Sequence, residues 1–128
     1  MNPYTKEQIV FGLSALTILA HGASRAAGWY TDPQTGEALE RNVPEMLMLI
    51  VSEVAEAMEG YRKNLQDDKL PERPMIEVEL ADAVIRIGDL AGFLGLDLAG
   101  AVTEKMAFNA SRADHKLENR AKEGGKKF

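Results

Sequence analysis

Apolar residues along this chain recur at intervals of three and four, and no stretch alternates convincingly, so the pattern predicts an all-α fold. The first helix is expected from about Thr5 to Ala27, apolar on most sides, with Thr5-Lys6-Glu7-Gln8 fitting a capping box. GWYTDPQTGEALERN (28–42), rich in Gly, Pro and Thr, breaks it. A second helix starts near Pro44, a residue preorganised for a first turn, and runs to about Lys63. After the polar loop NLQDDKLPERP (64–74), a third spans about Met75–Leu94. Gly95 ends it, and Asp97 caps a fourth that continues to about Arg112. The remainder, ADHKLENRAKEGGKKF, reads as a loose polar, basic tail, so residues 1–112 form one domain and 113–128 an appendage.

Short connections favour antiparallel neighbours, and the simplest arrangement is a four-helix bundle. The third helix is apolar almost all round, through Ile76, Val78, Leu80, Val84, Ile85, Ile87, Leu90, Phe93 and Leu94. One small bundle leaves part of that surface wet. The expectation is therefore a homodimer or homotetramer in which helices one and three meet their own copies.

Against this apolar pattern stand four acids. Glu53 shares a helical face with Met46, Leu49, Ile50, Ala57 and Gly60, and an isolated carboxylate there is costly. Glu56 lies three residues on, and the third helix repeats the oddity with Glu79, Asp82, Arg86 and Asp89 as one charged stripe. Folded as a hairpin about Asp67–Asp68, the two helices bring Glu53 level with Asp82 and Glu56 level with Glu79. Four acids so gathered repel unless something positive joins them. Oxygen-only ligation suits Mg²⁺ or Mn²⁺, whereas the Glu-x-x-His pairs of di-iron bundles are missing. On the fourth helix Lys105, Asn109 and Arg112 share a face. Folding it back about Gly95–Leu96 sets Asn109 level with Asp82 and Arg112 level with Glu79, the flanking a polyphosphate needs. The competing account is structural pairing, for instance Arg112 with Glu79.

Composition narrows the classes only a little. A formal net charge of −5 argues against nucleic acid as a partner, and with no cysteine there is no thiolate chemistry. Ile9–Ala20 has the length of a signal-peptide core, yet it lacks a basic flank and is too short to span a bilayer. A structural helix is preferred, with no membrane partner.

Glu53-x-x-Glu56, 22 intervening residues and Glu79-x-x-Asp82 resemble the MazG-like all-α nucleoside triphosphate pyrophosphohydrolases. The likeness extends through SEVAEAMEGYRKN, VELADAVIRIGDLAG and EKMAFNASRADHK, about residues 43–116. AHGASRAAGWY is similar to the family's first helix and the Trp segment after it. The tail departs from the family's compact ending, since LENRAKEG intervenes before GGKKF. The resemblance implies Mg²⁺-dependent hydrolysis of a (d)NTP to monophosphate and pyrophosphate by dimers or tetramers, with water attacking the α-phosphorus. It implies Glu53, Glu56, Glu79 and Asp82 as metal ligands, and Lys105, Asn109 and Arg112 as substrate contacts. Glu53 or Glu56 would also accept the proton, with Glu53 favoured because an apolar face raises a carboxyl's pKa. A nucleotide clean-up or pool-control role in the cytoplasm follows.

For the base, Trp29 offers a stacking face and His21 a polar contact, although each residue type serves packing more often. Two rivals stand: a non-catalytic helical oligomerisation or regulatory module, and a cation-binding bundle without a nucleotide substrate.

Overall fold

The computed structural model describes residues 2–128, apart from the Tyr4 side chain, and among these residues it is all-α, with no sheet. Five α-helices succeed one another: α1 Pro3–Ala26, α2 Val43–Arg62, α3 Met75–Leu94, α4 Leu98–Ser111 and α5 Leu117–Arg120. The four long helices agree with the hydrophobic pattern to within two residues at either end. Helix α1 starts two residues before Thr5, because Pro3 carries a preset helical φ, so Thr5 sits inside the first turn.

Two compact units divide the chain: Ala15–Leu96, and the residues up to Ser14 together with Asp97–Phe128. In the first unit α2 and α3 form an antiparallel pair, and the loop between them sets its register. Asn64 takes the left-handed conformation (φ 50°) that closes α2, with Leu65 N–H donating to Gly60 O at 3.0 Å. Asp67, only 7% exposed, then accepts from the N–H groups of Lys69 and Leu70 at 3.0 and 2.7 Å. The chain returns through an isolated bridge, Gln66 to Pro74, directly into α3.

Small residues bring α1 onto α3. A Cβ added at Gly88 would lie 3.2 Å from Ala20 Cβ, and one at Gly92 would lie 2.5 Å from His21 Cβ. The core is correspondingly thin, built from Ala20, Met46, Ala57, Ala83, Leu90 and Ala91 in this unit. Much apolar surface stays outside. On α2 the exposed Leu47, Val51, Val54, Met58 and Tyr61 recur at four and three, and on α3 Leu80, Val84 and Ile87 do the same. At about 100° per residue, both stripes turn away from the side of the hairpin that carries the acids.

In the second unit, Asp97 caps α4 by accepting from Gly100 N–H at 2.9 Å, as expected. The segment read as a loose tail instead contains a 3-10 turn, Ala113–His115, and the fifth helix. Arg120 accounts for the difference: its Nε and Nη2 donate to the carbonyls of Lys126 and Lys127 at 3.1 and 2.8 Å, folding the end of the chain onto α5.

One α1 stretch, Thr5–Ala26, is by length and mean hydropathy (1.3) able to cross a membrane. The uninterrupted helix is thus longer than the apolar run Ile9–Ala20. A soluble protein's core helix and a signal sequence both pass the same test, and only 6% of this stretch is buried.

Two glycine substitutions test the packing. Gly12 lies in α1 with nothing within 4 Å of an added Cβ, so Gly12→Ala should stabilise by about 0.5–1 kcal/mol. Gly92→Ala gains the same helix propensity but drives its methyl into His21 Cβ, and should be net destabilising by about 1–3 kcal/mol in urea unfolding.

Candidate metal centre and cleft

Antiparallel pairing of α2 and α3 brings three of the four acids to one point. One carboxylate oxygen each from Glu53, Glu56 and Glu79 lies within 4.8 Å of the others. Glu53 and Glu79 are each 9% exposed, while Glu56 stands at the surface. Asp82 lies one turn along α3 and is half-buried, outside that trio.

Two devices offset the repulsion. Arg86, one turn beyond Asp82, donates from Nε to Glu53 Oε1 at 3.0 Å. The second acts on Glu79, whose pKa is pushed up to about 7 by a hydrogen bond with Glu53, then by burial and by the charges of Glu56 and Glu53. Asp82 is also raised, first by burial and then by the charge of Glu53, with Arg86 opposing. Glu79 is raised because its hydrogen bond with Glu53 is joined by burial and by the charges of Glu56 and Glu53.

The donor set fits a hard divalent cation. Around octahedral Mg²⁺ adjacent oxygens stand about 3 Å apart and opposite ones about 4.2 Å, so a trio lying within 4.8 Å would draw together to hold it. The Arg86 guanidinium already stands where positive charge is needed.

Glu53 and Asp82 also line a cleft of about 600 Å³ in the Ala15–Leu96 unit, together with Trp29, Arg41, Arg86 and Asp89. Trp29 reaches it through the end of α1. Gly28, at φ 87°, lets the N–H groups of Gly28 and Trp29 close back on the carbonyls of Arg25 and Ser24 at 3.0 and 3.2 Å. Arg41 then donates to the Trp29 carbonyl at 2.7 Å, and the indole stays 65% exposed.

His21 is engaged elsewhere. Its Nδ1 meets Asp89 Oδ1 at 2.9 Å, and the Tyr30 hydroxyl donates to the same oxygen at 2.9 Å. The imidazole packs edge-on against the Tyr30 ring, their centroids 5.1 Å apart. Burial, then the hydrogen bond to Asp89 and its charge, push the Tyr30 phenol up to about 12, so it remains a fixed donor.

Lys105, Asn109 and Arg112 belong to the other unit and have contacts there. The Lys105 ammonium stands 4.9 Å from the Phe108 ring centroid, and Arg112 pairs with Asp114 at 2.7 Å. Asn109 Oδ1 is buried with no hydrogen-bond partner among the described residues.

Sequence reasoning saw Arg86 only as part of a stripe, although its spacing of seven from Glu79 places both on one face. Tyr30 and Arg41 carried no signal, since both lie in an irregular segment whose path only tertiary contacts define. No family model, curated protein or solved structure matches the chain.

A pH-dependent stability follows from Glu79. Its native pKa lies above the ordinary value of 4.5, so the folded state holds a proton that the unfolded chain releases. That contribution is complete below about pH 4.5 and is lost as pH rises through about 7. Thermal melts of metal-free protein should show Tm declining over that window relative to Glu79→Gln, which has no carboxyl to ionise there. Equal slopes for the two proteins would disprove the raised Glu79 pKa.

Proposed function

We propose that the cleft binds a nucleoside triphosphate and hydrolyses it to monophosphate and pyrophosphate. The observation that carries this is the double membership of Glu53, which belongs both to the converging carboxylates and to the wall of a cleft holding two arginines and an exposed indole. The motif likeness to MazG-like pyrophosphohydrolases supports the same reaction.

Glu53, Glu56, Glu79 and Asp82 would hold Mg²⁺ or Mn²⁺ through hard oxygen donors. When bound, the cation supplies positive charge to phosphate oxygens and lowers the pKa of an attached water. Glu53 or Glu56 accepts the proton from the water that attacks the α-phosphorus. Arg41 and Arg86 contact phosphate oxygens, and Trp29 offers its open face to the base. Lys105, Asn109 and Arg112 are assigned to the substrate on the motif likeness alone. His21 is given a supporting part, since its polar atom is bound to Asp89 and its ring packs on Tyr30. Such a substrate belongs to the cytoplasm.

The active species is proposed to be a homo-oligomer. The exposed stripes of α2 and α3 form an apolar face, opposite the acids, that a second copy would cover.

Turnover and folding separate this reading from structural ion pairing. Glu79→Gln and Asp82→Asn should lower pyrophosphate release by more than about 100-fold while metal-free melting holds or rises. Arg112→Ala should chiefly raise KM. Hydrolysis in ¹⁸O water should label the monophosphate; label in orthophosphate, with a diphosphate formed, would defeat the assignment. Variants that lose activity only in proportion to unfolding would favour structural pairs.

Light scattering at micromolar concentration should give a multiple of the 14.0 kDa chain mass. Val51→Glu with Val84→Glu should lower that mass to the monomer's, because charge on the apolar face costs burial. A wild-type mass of one chain would rule out the assembly.

A further inference from the structure

The cleft has two cations on its wall, and they are held differently. Arg41 is committed to its neighbours: Nη1 donates to the Trp29 carbonyl at 2.7 Å, and the guanidinium stands 5.2 Å from the Tyr30 ring centroid. Arg86 is attached at a single point, from Nε to Glu53 Oε1 at 3.0 Å. Its Nη1 and Nη2 have no acceptor among the described residues, and its side chain is 42% exposed against 12% for that of Glu53. The fork that binds a carboxylate or phosphate in bidentate fashion is thus free in the cleft.

Glu53 is both the anchor of Arg86 and a member of the carboxylate trio. A divalent cation gathered by the trio would meet the guanidinium at the same oxygen, and the two positive groups repel at contact distance. Arg86 has a long flexible stem and solvent on one side, so its retreat needs no backbone movement. A phosphate in the cleft would offer it a better geometric match than one carboxylate oxygen does.

We propose that Arg86 is an exchangeable counter-ion, holding Glu53 in the cation-free protein and passing to the phosphate oxygens of the cleft ligand once a divalent cation takes Glu53. The inference rests on the nucleoside triphosphate reading above. It makes cation and phosphate binding mutually reinforcing, because each removes the competitor or supplies the partner of the other. An Arg86 that merely orients Glu53 makes the opposite prediction for cation affinity.

The test uses the full chain, Mn²⁺ alone followed by electron paramagnetic resonance, and a non-hydrolysable α,β-imido nucleotide titrated at saturating Mn²⁺. Arg86→Gln should bind Mn²⁺ alone about fivefold more tightly than wild type, since a competing charge has gone. It should bind the imido nucleotide about 10- to 100-fold more weakly, the loss of a charge-assisted contact. Arg86→Lys, which keeps the charge without the fork, should match wild type for Mn²⁺ yet still weaken the nucleotide. Should Arg86→Gln fail to fold, Arg86→Lys alone decides on its nucleotide affinity. Weaker Mn²⁺ binding by Arg86→Gln, or unchanged nucleotide binding by the decisive variant, would overturn the exchange. Wild-type Mn²⁺ binding that is lost in Glu79→Gln preserves the underlying site whatever Arg86 does. Absence of wild-type Mn²⁺ binding would remove both the site and the exchange.

Discussion

Three glutamate oxygens within 4.8 Å of one another, two of them on nearly buried side chains, are the constraint around which the α2–α3 hairpin is organised. At an effective dielectric constant of about 20, each pair of full charges at that separation repels by roughly 3 kcal/mol. No helical hairpin of ordinary stability keeps such an arrangement fully ionised without an offset. Here the offset is the raised pKa of Glu79, which favours its neutral form, and the guanidinium of Arg86 on Glu53. Both are replaceable, one by deprotonation and one by side-chain rotation. A trio of carboxylates neutralised by removable partners is suited to taking up a different positive charge.

Convergence of the acids depends on register, and register depends on the loop. Asp67 fixes the turn through two backbone N–H groups, and Asn64 accepts the left-handed conformation that lets the chain leave α2. A slip of one residue would turn Glu79 about 100° away from Glu53. On the far side of the cleft, Gly88 and Gly92 allow α1 to approach α3 closely enough for His21 to reach Asp89. Tyr30 joins the same oxygen and so ties the segment carrying Trp29 and Arg41 to the helix carrying Asp82 and Arg86. The His21–Asp89–Tyr30 cluster is thus the means by which an irregular segment gains a defined position beside the acids.

The apolar economy of the molecule is divided. Facing side chains in the Ala15–Leu96 unit are small, mostly alanine and glycine, so helices approach closely but bury little area per contact. The larger residues, Leu47, Val51, Met58, Tyr61, Leu80 and Val84 among them, are turned outward on the face opposite the acids. Small residues inside therefore serve proximity between charged helices, and large residues outside supply the area from which further stability would come.

The sequence by itself determined the four long helices, because caps and breakers such as Pro44, Gly95 and Asp97 act within a few residues of their own position. It also determined that Glu53 and Glu79 are anomalous, since a period of three and four places them on apolar faces whatever lies opposite. Only the tertiary structure decided which acids meet: Glu56 joins the trio and Asp82 stands a turn away, a matter of helix rotation that spacing leaves open. It likewise decided that Arg86 reaches Glu53 of that cluster, and that Glu79 is a carboxyl whose pKa is raised. Its decision extended to the tail, where Arg120 reaches the carbonyls of Lys126 and Lys127 and a fifth helix forms. The physical reason is common to all of these. Local propensity acts through bonds and the adjacent turn, whereas charge, desolvation and side-chain reach act through space between residues the chain separates.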